Sequence, residues 1–299
     1  MRFYTIIING QETPAVSVDG GQTAFLLDSL GYSYEDMNQL ICRTTSEELE
    51  IMKKAAAEAV PEKSIDLRAA RFCAPIVTPR QDVICLGINY DEHAKEAGMY
   101  SKEAFGGERP YTIYFSKRVN RAWGSGETVS AYTGLVDSLD YEAELGVVLG
   151  QDVKDISESE ALPAVFGYTI INDVSARNLQ TRHKQWYKGK SLDGFTPMGP
   201  CIVTPDELET YGGPGNLRIS CTVNGQIRQD SNTCYMIQTV AGAISELSQG
   251  MTLQKGTIIA TGTPAGVGMG MKPPQFLKPG DEVICEIEGI GRLVSPIGE

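Results

Sequence analysis

The stretch LDYEAELGVVLG, residues 139–150, carries Asp140, Glu142 and Glu144 at every second position, directly before the apolar run Val147-Val148-Leu149. In an extended strand alternate side chains share a face, so the three acids are expected on one side. Like charges at contact distance repel, and one carboxyl takes up a proton unless something positive lies between them. Two arrangements answer that problem. One is a strand face turned to water. The other is a hard divalent cation held by Glu142 and Glu144, since Mg²⁺ and Mn²⁺ prefer oxygen donors and bind substrate oxygens as well. The stretch GYTIINDVSARNLQ, residues 167–180, ends an apolar strand in Asp173 and then supplies Ser175, Arg177 and Gln180. Asp173 reads either as a third carboxylate at a strand end or as the N-cap of a following helix.

The chain has two histidines. His93 stands three residues before Glu96 in INYDEHAKEAG, so one helical turn puts both on one face. A carboxylate beside an imidazole fixes its tautomer and raises its basicity, which suits a general base acting on water. The other reading is a surface pair in a polar segment. His183, among basic residues in QTRHKQWYKGK, is expected to be exposed. Lys190, in KGKSLDGFTPMGP, either meets an anionic oxygen or is solvated. The loop ATGTPAGVGMG, residues 260–270, follows an apolar strand and offers backbone N–H groups with the hydroxyls of Thr261 and Thr263. Such a loop binds an anion or makes a tight turn. It lacks the Lys-Ser/Thr pair of a Walker phosphate loop.

These residues need elements to hold them. Residues 1 to about 70 read as a hairpin turning at Asn9-Gly10, then helix-like segments FLLDSLG and SEELEIMKKAAAEAV. Thr45 with Glu48 has the spacing of a capping box before the second segment. After Pro79 short apolar strands alternate with Gly-rich turns, and Asn224-Gly225 signals another hairpin. Helices are expected near 91–98, 157–163 and 234–248. The pattern predicts a β-rich α+β chain, with a small N-terminal domain (1–72) and a larger β-rich domain (73–299). No dinucleotide or Walker fingerprint stands in a strand–helix context.

Composition narrows the function. The chain has 299 residues, 41% of them hydrophobic, with a formal net charge of −12. An acidic protein without a basic stripe is a poor partner for nucleic acid or an anionic membrane. If its substrate is an anion, the site must carry local positive charge. No apolar run is long enough to span a bilayer, and MRFYTIIINGQE has no signal-peptide pattern. The seven cysteines are odd in number and widely spread, with no CxxC. Reduced thiols and a cytoplasmic location are expected.

Taken in order, LGINYDEHAKE, DYEAELGVVLG, GYTIINDVSARNLQ, KGKSLDGFTPMGP and ATGTPAGVG…FLKPGDEVICEIEGIG resemble the fumarylacetoacetate hydrolase family across roughly residues 78–297. The resemblance implies a mixed β-sandwich roll, a homodimer, and one Mg²⁺ or Mn²⁺ per site. It implies metal ligation by Glu142, Glu144 and Asp173. It implies a catalytic pair His93 and Glu96 on a segment that orders into a lid when substrate binds. Lys190 and Gln180 match residues close to the substrate, and Thr263 lies in the matching carboxylate-binding loop. Asp140 falls outside the ligand set and is expected to orient other side chains. Arg177 is either a site residue or part of a structural ion pair. Tyr90, Tyr100 and Phe105 either shape the pocket or pack, and Tyr90 joins the substrate-binding set with Arg177.

The implied substrate is a small 2-oxo acid with a second carbonyl or carboxylate two carbons on. The implied reaction is hydrolysis of the C–C bond of an acylpyruvate-type 2,4-dioxo acid, since the His93–Glu96 pair is intact. Decarboxylation of oxaloacetate or isomerisation of a 2-hydroxy-dienoate diacid uses the same metal–enolate chemistry. A non-catalytic metal-dependent binder has no use for a base. Specificity is expected in the segment MYSKEAFGGERP, residues 99–110, and in the N-terminal domain.

Overall fold

A computed structural model describes residues 1–105 and 111–299, so the GGERP part of the expected lid tip lies outside the described residues. Among the described residues the centre is a ten-stranded mixed sheet. Its order runs from one edge as 65–66, 23–26, 11–17, 2–8, 198–203, 165–172, 143–149, 258–260, 83–87 and 113–117. The 83–87 and 258–260 strands are parallel, and the other pairs in the sheet are antiparallel. A five-stranded sheet (226–232, 218–223, 282–287, 291–298, 129–130) covers one face. This is the β-rich α+β roll expected from the sequence.

The strands Ala143–Leu149 and Val165–Asn172 are buried along their whole length. Their two faces enter two different cores. Leu145, Val147 and Ile170 pack with Ile219, Cys221, Val283 and Leu293 of the five-stranded sheet. Val148 and Ile171 face the other way, into a core with Phe3, Leu40, Ile41 and Met52 of the N-terminal region. Each such buried side chain contributes roughly 1.5–3 kcal/mol of hydrophobic stabilisation. The N-terminal region is therefore not a detached sheet. Its first strand pairs with Met198–Val203, and its helices Met37–Arg43 and Ser46–Glu58 cover the second face.

The local signals explain most boundaries. Asn9 and Gly10, and Asn224 and Gly225, take positive φ in tight hairpins. Thr45 and Glu48 form the capping box that starts Ser46–Glu58. FLLDSLG is a strand end and a 3₁₀ turn, Leu27–Leu30, rather than an α-helix. The helix expected over 234–248 begins only at Val240, because the Thr239 side chain caps it and 233–235 is a separate 3₁₀ turn. The expected helix at 157–163 is the short α-helix Glu158–Ala161 followed by a 3₁₀ turn. No cysteine forms a disulfide, and Cys73, Cys85, Cys201, Cys221 and Cys285 are buried. Among the described residues no helix is long and apolar enough to cross a membrane.

Candidate metal centre and active site

Register builds the site. Across the ladder between Ala143–Leu149 and Val165–Asn172, Glu144 stands opposite Ile171 and Ala143 opposite Asn172. One step beyond, Asp173 N–H donates to the Glu142 carbonyl at 2.9 Å, and the Asn172 side chain accepts from the Glu142 N–H at 3.1 Å. Glu142, Glu144 and Asp173 are thereby brought to one point, with one carboxylate oxygen of each within 4.8 Å of the others. They are 5%, 1% and 0% exposed, so none of the acids lies on a solvated face. Asp173 caps no helix: the helix Arg177–Arg182 follows Ala176 and has no side-chain cap.

Asp140 does not join the three. The strand breaks at Tyr141-Glu142: Leu139–Asp140 pairs instead with Ser175–Ala176. Its carboxylate accepts the N–H groups of Gly268 and Met269 at 2.7 and 3.0 Å and bonds Arg177 Nε at 2.9 Å. Arg177 is thus an ion-pair partner that also lines the candidate cavity. Its Nη1 lies 2.7 Å from Glu142 Oε1, and its Nη2 is buried without a partner among the described residues. Gln180 accepts from Arg177 Nη1 at 3.0 Å.

Lys190 is 2% exposed and bridges Glu142 Oε2 and Asp173 Oδ2, both at 2.6 Å. Its ammonium also lies 5.2 Å from the Phe115 ring centre. A second buried lysine, Lys117, pairs with the other oxygen of Asp173 and donates to the carbonyls of Val174 and Phe195. Sequence reading missed it. A lysine closing the strand YTIYFSK looks like a solvated edge residue, and nothing local shows that it turns inward. Gln229 was missed as well: buried, it links Thr263 and Pro264 to the Ala143 N–H.

The electrostatics separate the carboxylates. Burial opposes ionisation of Glu142, but Lys190 and Arg177 outweigh it and hold its carboxyl well below the usual range. Glu144 goes the other way. Burial, reinforced by Asp173 and Glu142, pushes it well above the usual range, and the Gly262 N–H at 2.8 Å does not offset this. Burial also works against the charge on Lys190, yet Asp173 and Glu142 raise its pKa. Four buried carboxylates (Asp140, Glu142, Glu144, Asp173) thus face three buried cations (Lys117, Arg177, Lys190). The negative excess sits on Glu144. A dication beside Glu144 would remove the excess and leave one positive charge for an anionic ligand, so this all-oxygen donor set fits Mg²⁺ or Mn²⁺.

His93 is 4% exposed, and its Nδ1 lies 3.2 Å from Glu96 Oε2, on the helix Asp91–Tyr100. It is not a surface pair. One cavity is lined by His93, Glu142, Glu144, Arg177, Gln180, Lys190 and Thr263, with an apolar wall of Phe105, Phe115 and Trp186. Thr263 donates to the Ala143 carbonyl at 2.9 Å. Tyr90 lines a different cavity, with Asp91, Glu92 and Tyr235, and its hydroxyl is buried without a partner among the described residues. Tyr100 packs on Phe276, and His183 is exposed. The glycine-rich loop 260–270 spends four of its N–H groups on the chain's own carboxylates: Gly262 on Glu144, Gly266 on Glu96, and Gly268 and Met269 on Asp140.

Known proteins resemble this chain in sequence and fold. Residues 82–298 match the family model described as fumarylacetoacetate (FAA) hydrolase C-terminal. A Bacillus subtilis (strain 168) protein named oxaloacetate tautomerase is 44% identical over 232 residues, covering 78% of this chain and 74% of its own length. The solved fumarylacetoacetate hydrolase of the psychrophile Exiguobacterium antarcticum is 35% identical, with a TM-score of 0.83 over 100% of this chain and 99% of that one. The 5-carboxymethyl-2-hydroxymuconate delta-isomerase of Mycobacterium smegmatis is 28% identical, with a TM-score of 0.74 over 100% and 99%.

Proposed function

The chain belongs to the fumarylacetoacetate hydrolase family, and on that premise we propose that it is a divalent-cation-dependent hydrolase cleaving a C–C bond in an acylpyruvate-type 2,4-dioxo acid. The observation that carries this reading is the cavity itself. It is lined by Glu142 and Glu144 of the three converging carboxylates, by Arg177 and Lys190, which pair with them, and by His93, the partner of Glu96, behind an apolar wall. Glu142, Glu144 and Asp173 are the ligands. Mg²⁺ or Mn²⁺ bound there supplies Lewis acidity against the negative charge that develops on the substrate's 2-oxo oxygen.

The chain's own groups do the rest. Arg177 Nη2, a buried donor without a partner among the described residues, and Lys190 Nζ bind substrate oxygens. Gln180, whose carbonyl oxygen is taken by Arg177, donates through its amide nitrogen. Thr263 lines the same cavity, whereas Tyr90 lines a different one and is left out of the substrate-binding set. Glu96 holds the Nδ1–H of His93, so Nε2 takes a proton from water. The resulting hydroxide adds to the distal carbonyl, the C–C bond breaks, and its electron pair stays on the pyruvate fragment as an enolate. His93 returns its proton to that carbon. Phe105, Phe115 and Trp186 keep bulk water out, which strengthens every electrostatic contact inside.

A second reading is tautomerisation, isomerisation or decarboxylation of a 2-oxo diacid. The 44% identical relative named oxaloacetate tautomerase favours it. There His93 would move a proton between carbon and oxygen, with no water attack. The N-terminal 72 residues form a small domain whose strands extend the central sheet and whose helices seal the second core. Exposed Tyr111, Ile237 and Tyr235 line two cavities that share Ile237, an apolar strip suited to a homodimer. The reduced cysteines fit the cytoplasm.

The deciding experiment is a substrate panel with Mg²⁺ or Mn²⁺: acetylpyruvate, oxaloacetate in keto and enol forms, and a 2-hydroxy-dienoate diacid. Release of pyruvate and acetate from acetylpyruvate is expected. Enol–keto conversion alone, with acetylpyruvate untouched, would replace the hydrolase reading by the second.

A further inference from the structure

Tyr141 stands between Asp140 and Glu142 and is 1% exposed. Its hydroxyl donates to the Gly266 carbonyl at 2.8 Å. The N–H of the same glycine donates to both oxygens of Glu96 at 3.1 Å, and Glu96 Oε2 meets His93 Nδ1 at 3.2 Å. Among the described residues, His93 and this one backbone N–H are the only hydrogen-bond partners of the Glu96 carboxylate. The position of Gly266 therefore decides where Glu96 points.

Gly266 itself is boxed in. It takes φ +106°, a conformation that favours glycine, and a Cβ there would overlap the carbonyl of Arg228. A Cβ at Gly270 would overlap the Glu96 carboxylate, so the loop also wraps the acid closely on that side. Two residues on, Asp140 grips the loop again through the N–H groups of Gly268 and Met269. Consecutive side chains of the segment leading into Glu142 thus hold the loop at two points, and the loop holds the base.

We propose that Tyr141 is a positioning residue for the His93–Glu96 pair, acting through the Gly266 peptide. It registers the base against the same segment that carries the carboxylate Glu142. This rests on the reading of His93 as the base, and it adds what fixes the distance from that base to the metal-side carboxylates. A hydroxyl that touches neither substrate nor ion then controls turnover by orienting a carboxylate whose other anchor among the described residues is the imidazole it serves.

The test is a double-mutant cycle on the full-length enzyme with Mn²⁺ and acetylpyruvate, using Tyr141→Phe, Glu96→Gln and the double variant. Tyr141→Phe should lower kcat about tenfold with KM within about twofold, and Glu96→Gln about a hundredfold. The double variant should be no slower than Glu96→Gln alone, because both changes remove the same alignment. Multiplying effects, or an unchanged kcat in Tyr141→Phe, would overturn the proposal. A second arm needs no turnover. In ¹⁵N-histidine spectra of the metal-free protein, exposed His183 serves as reference. His93 should show one tautomer, protonated at Nδ1, in the natural protein and a tautomer mixture in Tyr141→Phe. Identical His93 signals in the two proteins would overturn the role of Tyr141 even if acetylpyruvate proves not to be the substrate.

Discussion

The two halves of the site are built differently. The carboxylate side hangs on strands buried on both faces, and its seven charged groups are locked by hydrogen bonds and ion pairs inside two apolar cores. The base side rests on the helix Asp91–Tyr100, of which only His93 and Ala97 are buried. That helix starts at Tyr90 without a side-chain cap and docks through a cluster of four buried residues, Ala97, Phe105, Val267 and Met269. The carboxylate side is part of the fold. The base side is an attachment whose aim depends on one glycine-rich loop. Damage to the first should therefore cost folding, and damage to the second should cost turnover alone.

The largest effect expected is chelation. Removal of divalent metal should cut acetylpyruvate hydrolysis by about a thousandfold or more, with recovery on adding Mg²⁺ or Mn²⁺. Full activity in excess chelator would remove the ion from the account. Next is Lys117→Met. It leaves one oxygen of buried Asp173 without its cation and should destabilise the fold by about 3–5 kcal/mol in denaturant titrations. A loss near zero would show that the carboxylate side is not integral to folding. Glu96→Gln belongs to the other half. It should lower kcat about a hundredfold while the unfolding midpoint stays put. A comparable loss of stability would erase the contrast.

A smaller effect tests the electrostatics. Burial, with Asp173 and Glu142 beside it, raises the Glu144 carboxyl, so metal-free protein carries a proton there that a cation must displace. Metal affinity should then rise about tenfold per pH unit as pH increases below that pKa, with release of about one proton seen by calorimetry in buffers of different ionisation enthalpy. Binding that ignores pH would mean that Glu144 is already ionised. The smallest effect is Ala97→Gly, about 1 kcal/mol on the local helix. It should speed amide exchange over 91–100 and leave 143–149 unchanged.

The sequence carried the chemistry of this site better than its supports. The shared face of Glu142 and Glu144 and the pairing of His93 with Glu96 were legible because strand alternation and helical spacing act locally, whereas Asp173 meets the glutamates only through the pairing of two strands. The same alternation misplaced Asp140. The chain switches ladders after it, and that switch depends on pairing with Ser175–Ala176, far away in sequence. Lys117 and Gln229 look like ordinary strand polars, and only the packing of distant strands makes them interior. The loop 260–270 was legible as an anion binder, but its anions include the protein's own acids, which no local signal reveals. The N-terminal segment read as separate because its composition differs. Its strand nevertheless pairs with residues 202–203, a contact across about two hundred positions.

One measurement bears most directly on the central claim that three carboxylates hold a dication. Mn²⁺ binding can be followed by electron paramagnetic resonance in the natural protein and in Glu144→Gln. The amide replaces a carboxyl whose charged form burial and its acidic neighbours disfavour, so the fold should tolerate it. The account predicts one Mn²⁺ per chain in the natural protein and an affinity at least about tenfold weaker in the variant. Equal affinity in the two proteins, or none in either, would contradict it.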